Sequence, residues 1–324
     1  MLRFSSFILF LAFTFSKAFS QETLPIYSDY LSDNVYLLHP AGAGIGNSGK
    51  LRLTNHTQWK GVENAPAFNT LSFHNRFGRK AGAGIIFFND KNGNNSQTGV
   101  QGTYAYHLNM AKYSGDFEQL SFGFSMTLVQ NRFDRGIFSN NDIDLAIGKV
   151  QASDSYFNGD FGVSYHKENF FSYLTIKNLF LTTKTAGQLD ALDLRKVLVS
   201  AGYYFDRSNV FQFEPSFMYL YDPYFERSQV DINMKVYKSL QNAKLWGAIS
   251  YRQSFEPTNM GSLKYFTPIV GLNYKQLMFS YTYTEQLGNL GIVPRGGFHQ
   301  LTLGIDLFIR EERIAACPNI AAGY

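Results

Sequence analysis

Apolar and polar residues alternate with a period of two along most of the chain between residues 50 and 310. In the last such stretch, leucine or isoleucine occupies every second position from Leu301 to Ile309, with polar or small residues at most of the positions between. Stretches near residues 120, 230 and 277 repeat the pattern. Because successive side chains of a β-strand point to opposite faces, the pattern predicts strands with one apolar and one polar face.

The alternation divides into fourteen predicted strands, each about as long as a strand that crosses a membrane. The fold class that this predicts is all-β, a transmembrane antiparallel β-barrel of about 14 strands. Twelve or sixteen strands remain alternatives if the segments 132–157 or 180–195 are misassigned. The predicted strands are 50–60, 67–77, 80–89, 97–108, 117–131, 158–167, 170–179, 196–206, 209–221, 226–238, 243–254, 262–274, 276–285 and 297–309.

The predicted connections alternate in length. Links after even-numbered strands are mostly tight, as at Gly78-Arg79 and Glu168-Asn169, whereas several links after odd-numbered strands are long, as at 132–157 and 286–296. Bacterial outer-membrane barrels have short periplasmic turns and longer outer loops. The alternation therefore predicts periplasmic termini. A soluble exported β-protein is the alternative fold.

The first twenty residues have the pattern of a secretory signal peptide: a basic start, an apolar stretch, and small residues before Gln21. No later stretch has the roughly 20 apolar residues of a transmembrane helix. The predicted organisation is a signal peptide at 1–20, a periplasmic N-terminal segment at 21–49, an outer-membrane barrel at 50–309 and a periplasmic tail at 310–324. We expect residues 21–49 either to stay in the periplasm or to plug the lumen.

Composition supports this assignment. The 31 Phe, 21 Tyr and 2 Trp make 17% of the chain, and charged residues also make 17%, below the usual value of about 25%. Several aromatic pairs lie at predicted strand ends, as the girdles of a membrane barrel do. A net charge of +4 is too small to indicate nucleic-acid binding. The single cysteine, Cys317, excludes a disulfide scaffold.

Three segments have the composition of ligand sites, but each has a simpler interpretation. Ala41–Gly46 resembles a phosphate-binding glycine loop, yet no helix pattern follows it, so a flexible lead-in or a tight turn is favoured. Asn89–Asn95 has one acid and predicts a hairpin rather than a Ca²⁺ site. The long segment 132–157 carries Asp142 and Asp144, whose shared ion is the alternative to a solvated loop.

The six histidines are scattered along the chain, and their spacing marks no catalytic arrangement. We therefore predict no enzyme, no catalytic, cofactor-binding or metal-binding residues, and no cofactor; an outer-membrane hydrolase, whose residues strand pairing would assemble, is the weakest alternative. Charges at polar-face positions have two interpretations: they line a channel, or they form neutralised pairs in a plugged barrel. These positions are Glu214, Asp231, Lys235 and Arg252.

A series of local patterns resembles the PorP/SprF family of the type IX secretion system. It begins with Tyr27–Tyr30 and Pro40–Gly44, although His39 stands where the family usually has asparagine. The most specific element is Gln58–Pro66, which is similar to the family's Gln-Trp-x-Gly-x-x-x-Ala-Pro block. Phe88–Gly93 resembles the family's Asn-Asp-Lys-x-Gly hairpin. The similarity is sharp over residues 27–125, and the segment 132–157 lacks the family's acidic-proline loop.

The resemblance implies a non-enzymatic outer-membrane role in protein secretion or gliding, with a diffusion channel or small-solute transporter as the alternative. It implies partners: a large translocon barrel, a periplasmic peptidoglycan-binding protein, lipoproteins, the C-terminal domains of secreted cargo, and outer-membrane lipid, but no nucleic acid. Proline and glycine in the first outer loop favour a rigid rim element, or simply a stable turn. The candidate rim residues are Trp59, Lys60, Gly61, Ala65, Pro66, Asn89, Asp90, Lys91 and Gly93.

Overall fold

The computed structural model describes residues 31, 34–46, 48–58, 65–113, 116–134, 151–180, 195–205, 211–256, 263–287 and 297–309. Within these ranges the chain forms fourteen antiparallel strands and two short 3-10 turns, Val35–Leu37 and Pro40–Gly42. The strands are β1 Gly49–Gln58, β2 Ala67–Phe77, β3 Ala81–Asn92, β4 Asn95–Asn109, β5 Glu118–Asp134, β6 Gln151–Lys167, β7 Phe170–Lys177, β8 Lys196–Tyr203, β9 Phe211–Asp222, β10 Arg227–Ser239, β11 Ala243–Phe255, β12 Lys264–Tyr274, β13 Leu277–Leu287 and β14 Phe298–Leu307.

The sheet closes on itself. Each strand pairs with its neighbours in sequence, and β1 pairs with β14 in a register that runs from Gly49 opposite Leu307 to Gln58 opposite Phe298. Closure leaves no sheet edge, which is what a β-structure needs when hydrocarbon surrounds it. The predicted fourteen-strand antiparallel barrel is therefore confirmed. No helix in the described ranges has the length and apolarity to cross a bilayer.

The outer face of the barrel is apolar. Residues such as Leu53, Leu128 and Ile232 are 49%, 60% and 61% exposed, respectively, and they alternate with buried polar residues that point inward. This is the lipid-facing pattern that the period of two predicts.

The apolar band ends at one row of polar residues on the outer face of β1 to β4. Asn55, Asn69, Asn89 and Thr98 follow one another across the strands in register. The Asn55 amide donates to Asn69 Oδ1 (2.6 Å) and the Asn89 amide donates to Thr98 Oγ1 (2.9 Å). The row is the edge of the apolar band on these strands, on the side of the links that follow odd-numbered strands, which we call the loop-rich end.

The predicted start of β6 at residue 158 is wrong, because the strand continues beyond that edge and begins at Gln151; β5 ends at Asp134 and not at residue 131. Each strand has 17 residues, so that 132–134 and 151–157 of the predicted loop 132–157 are sheet. Asn131 pairs with Asp154, and Asp134 pairs with Gln151. Above the bilayer, outward positions meet water, and the alternation that marks a membrane strand is lost. Asp142 and Asp144 lie outside the described residues.

Candidate functional site

A segment of the chain that precedes β1 lies inside the barrel. Residues 34–46 run as two consecutive 3-10 turns through the lumen, and Tyr36, His39, Ala41 and Ala43 are each 0% exposed. We call residues 34–46 the plug. The predicted turn at Ala41–Gly46 is present, but it is buried among the inward faces of the strands. Of the two expectations for residues 21–49, lumen filling describes this part.

Polar side chains hold the plug to strands on several sides of the lumen. The Tyr36 hydroxyl donates to Thr103 Oγ1 on β4 (2.9 Å), and the Asn34 amide donates to Ser72 Oγ on β2 (3.0 Å). His39 reaches the far wall, where Nδ1 lies 2.8 Å from Thr175 Oγ1 on β7 and Nε2 lies 2.9 Å from Ser200 Oγ on β8. Its ring stacks on Tyr173. These bonds satisfy buried polar groups that would otherwise be costly.

Two strand histidines bond the backbone of the plug. The Nε2–H of His107 donates to the carbonyl of Ala43 (3.0 Å), and the N–H of Gly44 donates to Nδ1 of His74 (3.0 Å). His107 Nδ1 also lies 2.8 Å from Ser121 Oγ. Two of the histidines that looked scattered in the sequence, His74 and His107, therefore meet in the lumen, where they bind this segment.

Glycines in the strands make room for the plug. A Cβ on Gly82 would lie 2.1 Å from the carbonyl oxygen of Ala43, and one on Gly84 would lie 2.6 Å from the Tyr36 ring. A Cβ on Gly123 would lie 2.3 Å from the backbone of Pro40 and Ala41. The small residues of the plug and the glycines of the wall thus allow backbone-to-backbone packing.

Burial shifts the titration of the two largest polar side chains of the plug. Desolvation, together with a smaller effect of the nearby positive charge of Lys177, lowers the pKa of His39 from 6.5 to about 3. Desolvation likewise raises the pKa of the Tyr36 phenol, against the smaller effect of its hydrogen bond to Thr103. Both side chains are therefore neutral at pH 7, and hydroxyl groups are their hydrogen-bond partners.

The inward-facing charges are largely partnered. Arg252 makes two bonds to Asp231, Nε to Oδ1 and Nη2 to Oδ2, both 2.8 Å. The Tyr237 hydroxyl donates to Glu214 (2.6 Å). Of the two interpretations made from sequence, the neutralised pair describes Arg252 and Asp231.

The fourth predicted charge, Lys235, binds the chain just upstream of the plug. Its ammonium donates to the carbonyl of Leu31 (3.1 Å) and lies 4.2 Å from the centre of the Trp246 ring. The contact combines a hydrogen bond with a cation–π interaction in a water-excluded setting. The entry of the plug is thereby tied to β10 and β11.

The structure brings several of the predicted rim residues together. Pro66 accepts a hydrogen bond from the N–H of Gln58 (3.0 Å) at the base of the first loop. Next to it, Ala67 pairs with Lys91, and Asn69 with Asn89. Asp90 lies on the inward face of β3, half-buried.

Other predicted rim residues have a different status. Gly93 turns the β3–β4 hairpin with φ +59°, and Ala65 is half-buried beside Pro66. Trp59, Lys60 and Gly61 lie outside the described residues, as do the predicted signal peptide, the tail at 310–324 and Cys317. In the ranges that the structure describes, no group of His, Cys, Asp and Glu has the arrangement of a metal site.

Comparison with known proteins gives one family. The family model described as type IX secretion system membrane protein PorP/SprF matches residues 19–305. None of the curated proteins compared with the chain matches it.

Solved structures are similar to the chain at low sequence identity. The CymD monoaromatic hydrocarbon channel is 11% identical, with a TM-score of 0.52, over 86% of this chain and 94% of that chain. The Ralstonia pickettii toluene transporter TbuX is 10% identical, with a TM-score of 0.48, over 84% and 92%, respectively.

Proposed function

The chain belongs to the PorP/SprF family of type IX secretion system membrane proteins, and from that premise we propose that it is a non-enzymatic outer-membrane component that anchors or assists the export of secreted surface proteins. Its fold is that of an outer-membrane barrel. In this role the barrel is a platform: lipid surrounds its outer face, and partners bind its rims.

The observation that carries the proposal is the plug. Residues 34–46 cross the lumen and bond β2, β4, β7 and β8, so an exported polypeptide does not pass through this barrel while the plug is docked. The rims are left as the surfaces for partners. We assign the candidate surface at the loop-rich end to Ala65, Pro66, Asn89 and Lys91, which β1 to β3 hold in register.

The orientation that we propose places both termini in the periplasm. Short links such as 168–169 and 275–276 follow even-numbered strands, and the links after β5 and β7 are longer. Short turns are typical of the periplasmic end. A periplasmic peptidoglycan-binding protein and lipoproteins would then meet the short-turn rim, and the large translocon barrel or cargo C-terminal domains would meet the loop-rich rim.

The experiment is mild-detergent extraction of the tagged full chain from its native outer membrane, followed by mass spectrometry. We expect stoichiometric recovery of a translocon barrel, a peptidoglycan-binding protein or a secreted adhesin. The double variant Asn89→Ala/Lys91→Ala should lose the loop-rich-rim partner, whereas the control Arg79→Ala/Lys80→Ala, at the opposite end, should keep it. Wild-type export of all cargo after gene deletion, with no related copy present, contradicts the proposal.

The alternative, a diffusion channel or small-solute transporter, makes a separate prediction. A channel conducts in a planar bilayer as the pure protein, and a barrel closed by a docked plug does not. We expect no steady conductance from the wild-type protein. Stable unitary currents from the pure protein would favour the channel.

A further inference from the structure

The outer face of the barrel carries an apolar groove across β7 to β12. Its volume is about 560 Å³. The small side chains of Ala201 and Pro215 form its floor, and Phe217, Met234 and Ile249 rise around them. The surrounding outer face is exposed and apolar, with Ile249 at 52% and Val270 at 57%. The groove therefore lies within the lipid-facing band.

The groove coincides with an interruption of the sheet. The β8–β9 ladder ends at Gly202 opposite Ser216, and pairing resumes only at the bridge between Phe205 and Phe213. Pro215 lies in this gap and has no N–H to donate to the neighbouring strand. The compact proline ring and the interrupted pairing of β8 with β9 leave a depression at this position of the outer face.

Beside the groove, toward the short-turn end of the barrel, the next outward position of β11 after Ile249 is Gly247. This residue lies between Val236 on β10 and Val270 on β12 in register. A Cβ added there would meet only the carbonyl oxygen of Ile269, at 3.5 Å. Because Gly247 has no side chain, the outer surface has no protruding group next to Ile249 on the side of the short-turn end.

An exposed cation lies beyond Gly247, toward the short-turn end. Lys238 is four residues from Met234 on the same face of β10, about 13 Å along the strand. Its ammonium lies 5.5 Å from the centre of the Phe211 ring. Lys275, in the turn between β12 and β13, lies 5.5 Å from the centre of the Tyr274 ring. Among the described residues no carboxylate forms an ion pair with either lysine.

We propose that the outer face of β9 to β12 binds one glycerophospholipid with an anionic headgroup. One acyl chain fills the groove over Pro215 and passes over Gly247, and the phosphate meets Lys238, with Lys275 as the second cation. The lining is mostly hydrocarbon, and the apolar group that this layer supplies is an acyl chain. Lysines at the edge of the apolar band reach the headgroup level and attract negative charge. This site is independent of the role in secretion.

The test uses the purified full chain, delipidated in detergent and then titrated with dioleoyl phosphatidylglycerol or dioleoyl phosphatidylethanolamine, and read by native mass spectrometry. Wild-type protein should retain one lipid and prefer the anionic one about fivefold, the effect of one lysine near a headgroup. Lys238→Gln should remove that preference. Gly247→Leu should reduce retention of both lipids, because its side chain would stand in the path of that acyl chain.

Matched controls come from the same chain. Gly102→Leu adds the same side chain on the outer face of β4, where a Cβ meets nothing within 4 Å, and Lys167→Gln removes an exposed charge at the short-turn end of β6. Both should behave as wild type. Equal retention of the two lipids by the wild type overturns the headgroup part, and unchanged retention by a folded Gly247→Leu overturns the groove. Because Lys238 is exposed, its variant tests the site even if Gly247→Leu does not fold.

Discussion

The backbone N–H of Gly44 donates a 3.0 Å hydrogen bond to Nδ1 of His74, which joins the tip of the plug to the wall of the barrel. A ring nitrogen that accepts a hydrogen bond carries no proton, so His74 is neutral with its proton on Nε2. Gly44 itself has φ +72°, and a Cβ on it would lie 2.7 Å from the Cα of Gly82. The path of the plug therefore depends on a glycine conformation and on an uncharged imidazole.

Replacement of Gly82 by alanine should displace the plug. The added Cβ would lie 2.1 Å from the carbonyl oxygen of Ala43, a backbone atom that cannot move without the segment around it. We expect faster protease cleavage within residues 34–46 and new conductance in a planar bilayer. Gly102→Ala is the matched control because its Cβ points into open space. Equal cleavage of the two variants would show that the plug is not held at Gly82.

Acidification should weaken docking of the plug. In the undocked segment His39 titrates near 6.5, and in the docked segment its pKa is about 3. As the pH decreases, the undocked form therefore binds the proton first. Docking is most favourable above pH 6.5, and it becomes less favourable by about 1.4 kcal/mol per pH unit as the pH decreases toward 3. Hydrogen exchange of residues 34–46 at pH 7.5 and pH 5 measures this.

The control for the pH experiment is His39→Gln, which keeps a hydrogen-bonding group but does not titrate. The groups that face His39 are Thr175, Ser200, Tyr173 and the charge of Lys177. This variant should lose most of the change in exchange between the two pH values. A dependence as steep as in the wild type would assign the effect to other groups, such as His74 and His107.

Breaking the ion pair between the first and last strands should destabilise closure of the barrel. Arg52 Nη2 lies 2.7 Å from Asp306 Oδ1, and the arginine side chain is 0% exposed. Asp306→Asn removes a negative charge that lies against a buried guanidinium, which costs about 3–5 kcal/mol. We expect unfolding at lower temperature on heat-modifiability gels. Asp160→Asn is the comparison, because Asp160 lies 3.9 Å from a more exposed lysine and should have a smaller effect.

In the hairpin between β3 and β4, we expect a substitution at the positive-φ glycine to cost more stability than a substitution at the neighbouring turn residue. Gly93 has φ +59°, and nothing lies within 4 Å of a Cβ added there. Gly93→Ala therefore costs about 1–2 kcal/mol through the left-handed backbone alone. Asn94→Ala, at the neighbouring turn position, should cost less. Chemical denaturation of the reconstituted barrel compares the two, and equal losses would contradict the backbone argument.

The strands and their order were predictable because their signal is local. The alternation of apolar and other residues along Leu301–Ile309 or Leu120–Leu128 can be recognised from those nine residues alone. It is found wherever the strand lies in the membrane, because outward side chains there contact hydrocarbon. The same reasoning failed at β5 and β6, because the lipid constraint ends at the row of Asn55, Asn69 and Asn89 and the strands continue without it. Strand order alone makes β2 and β3 neighbours, and the turn between them sets the register that pairs Ala67 with Lys91.

Only the tertiary structure shows that residues 34–46 fill the lumen. The sequence by itself determined a fourteen-strand barrel with an apolar outer face. Each strand is recognised from the period of two in its own residues, and it pairs with the strands next to it in sequence. It did not determine that His39 meets Thr175, 136 residues away, or that Gly82 makes room for Ala43. Such contacts depend on which side chains the closed sheet turns toward one another across the lumen. The plug and the paired charges exist only once the barrel has closed.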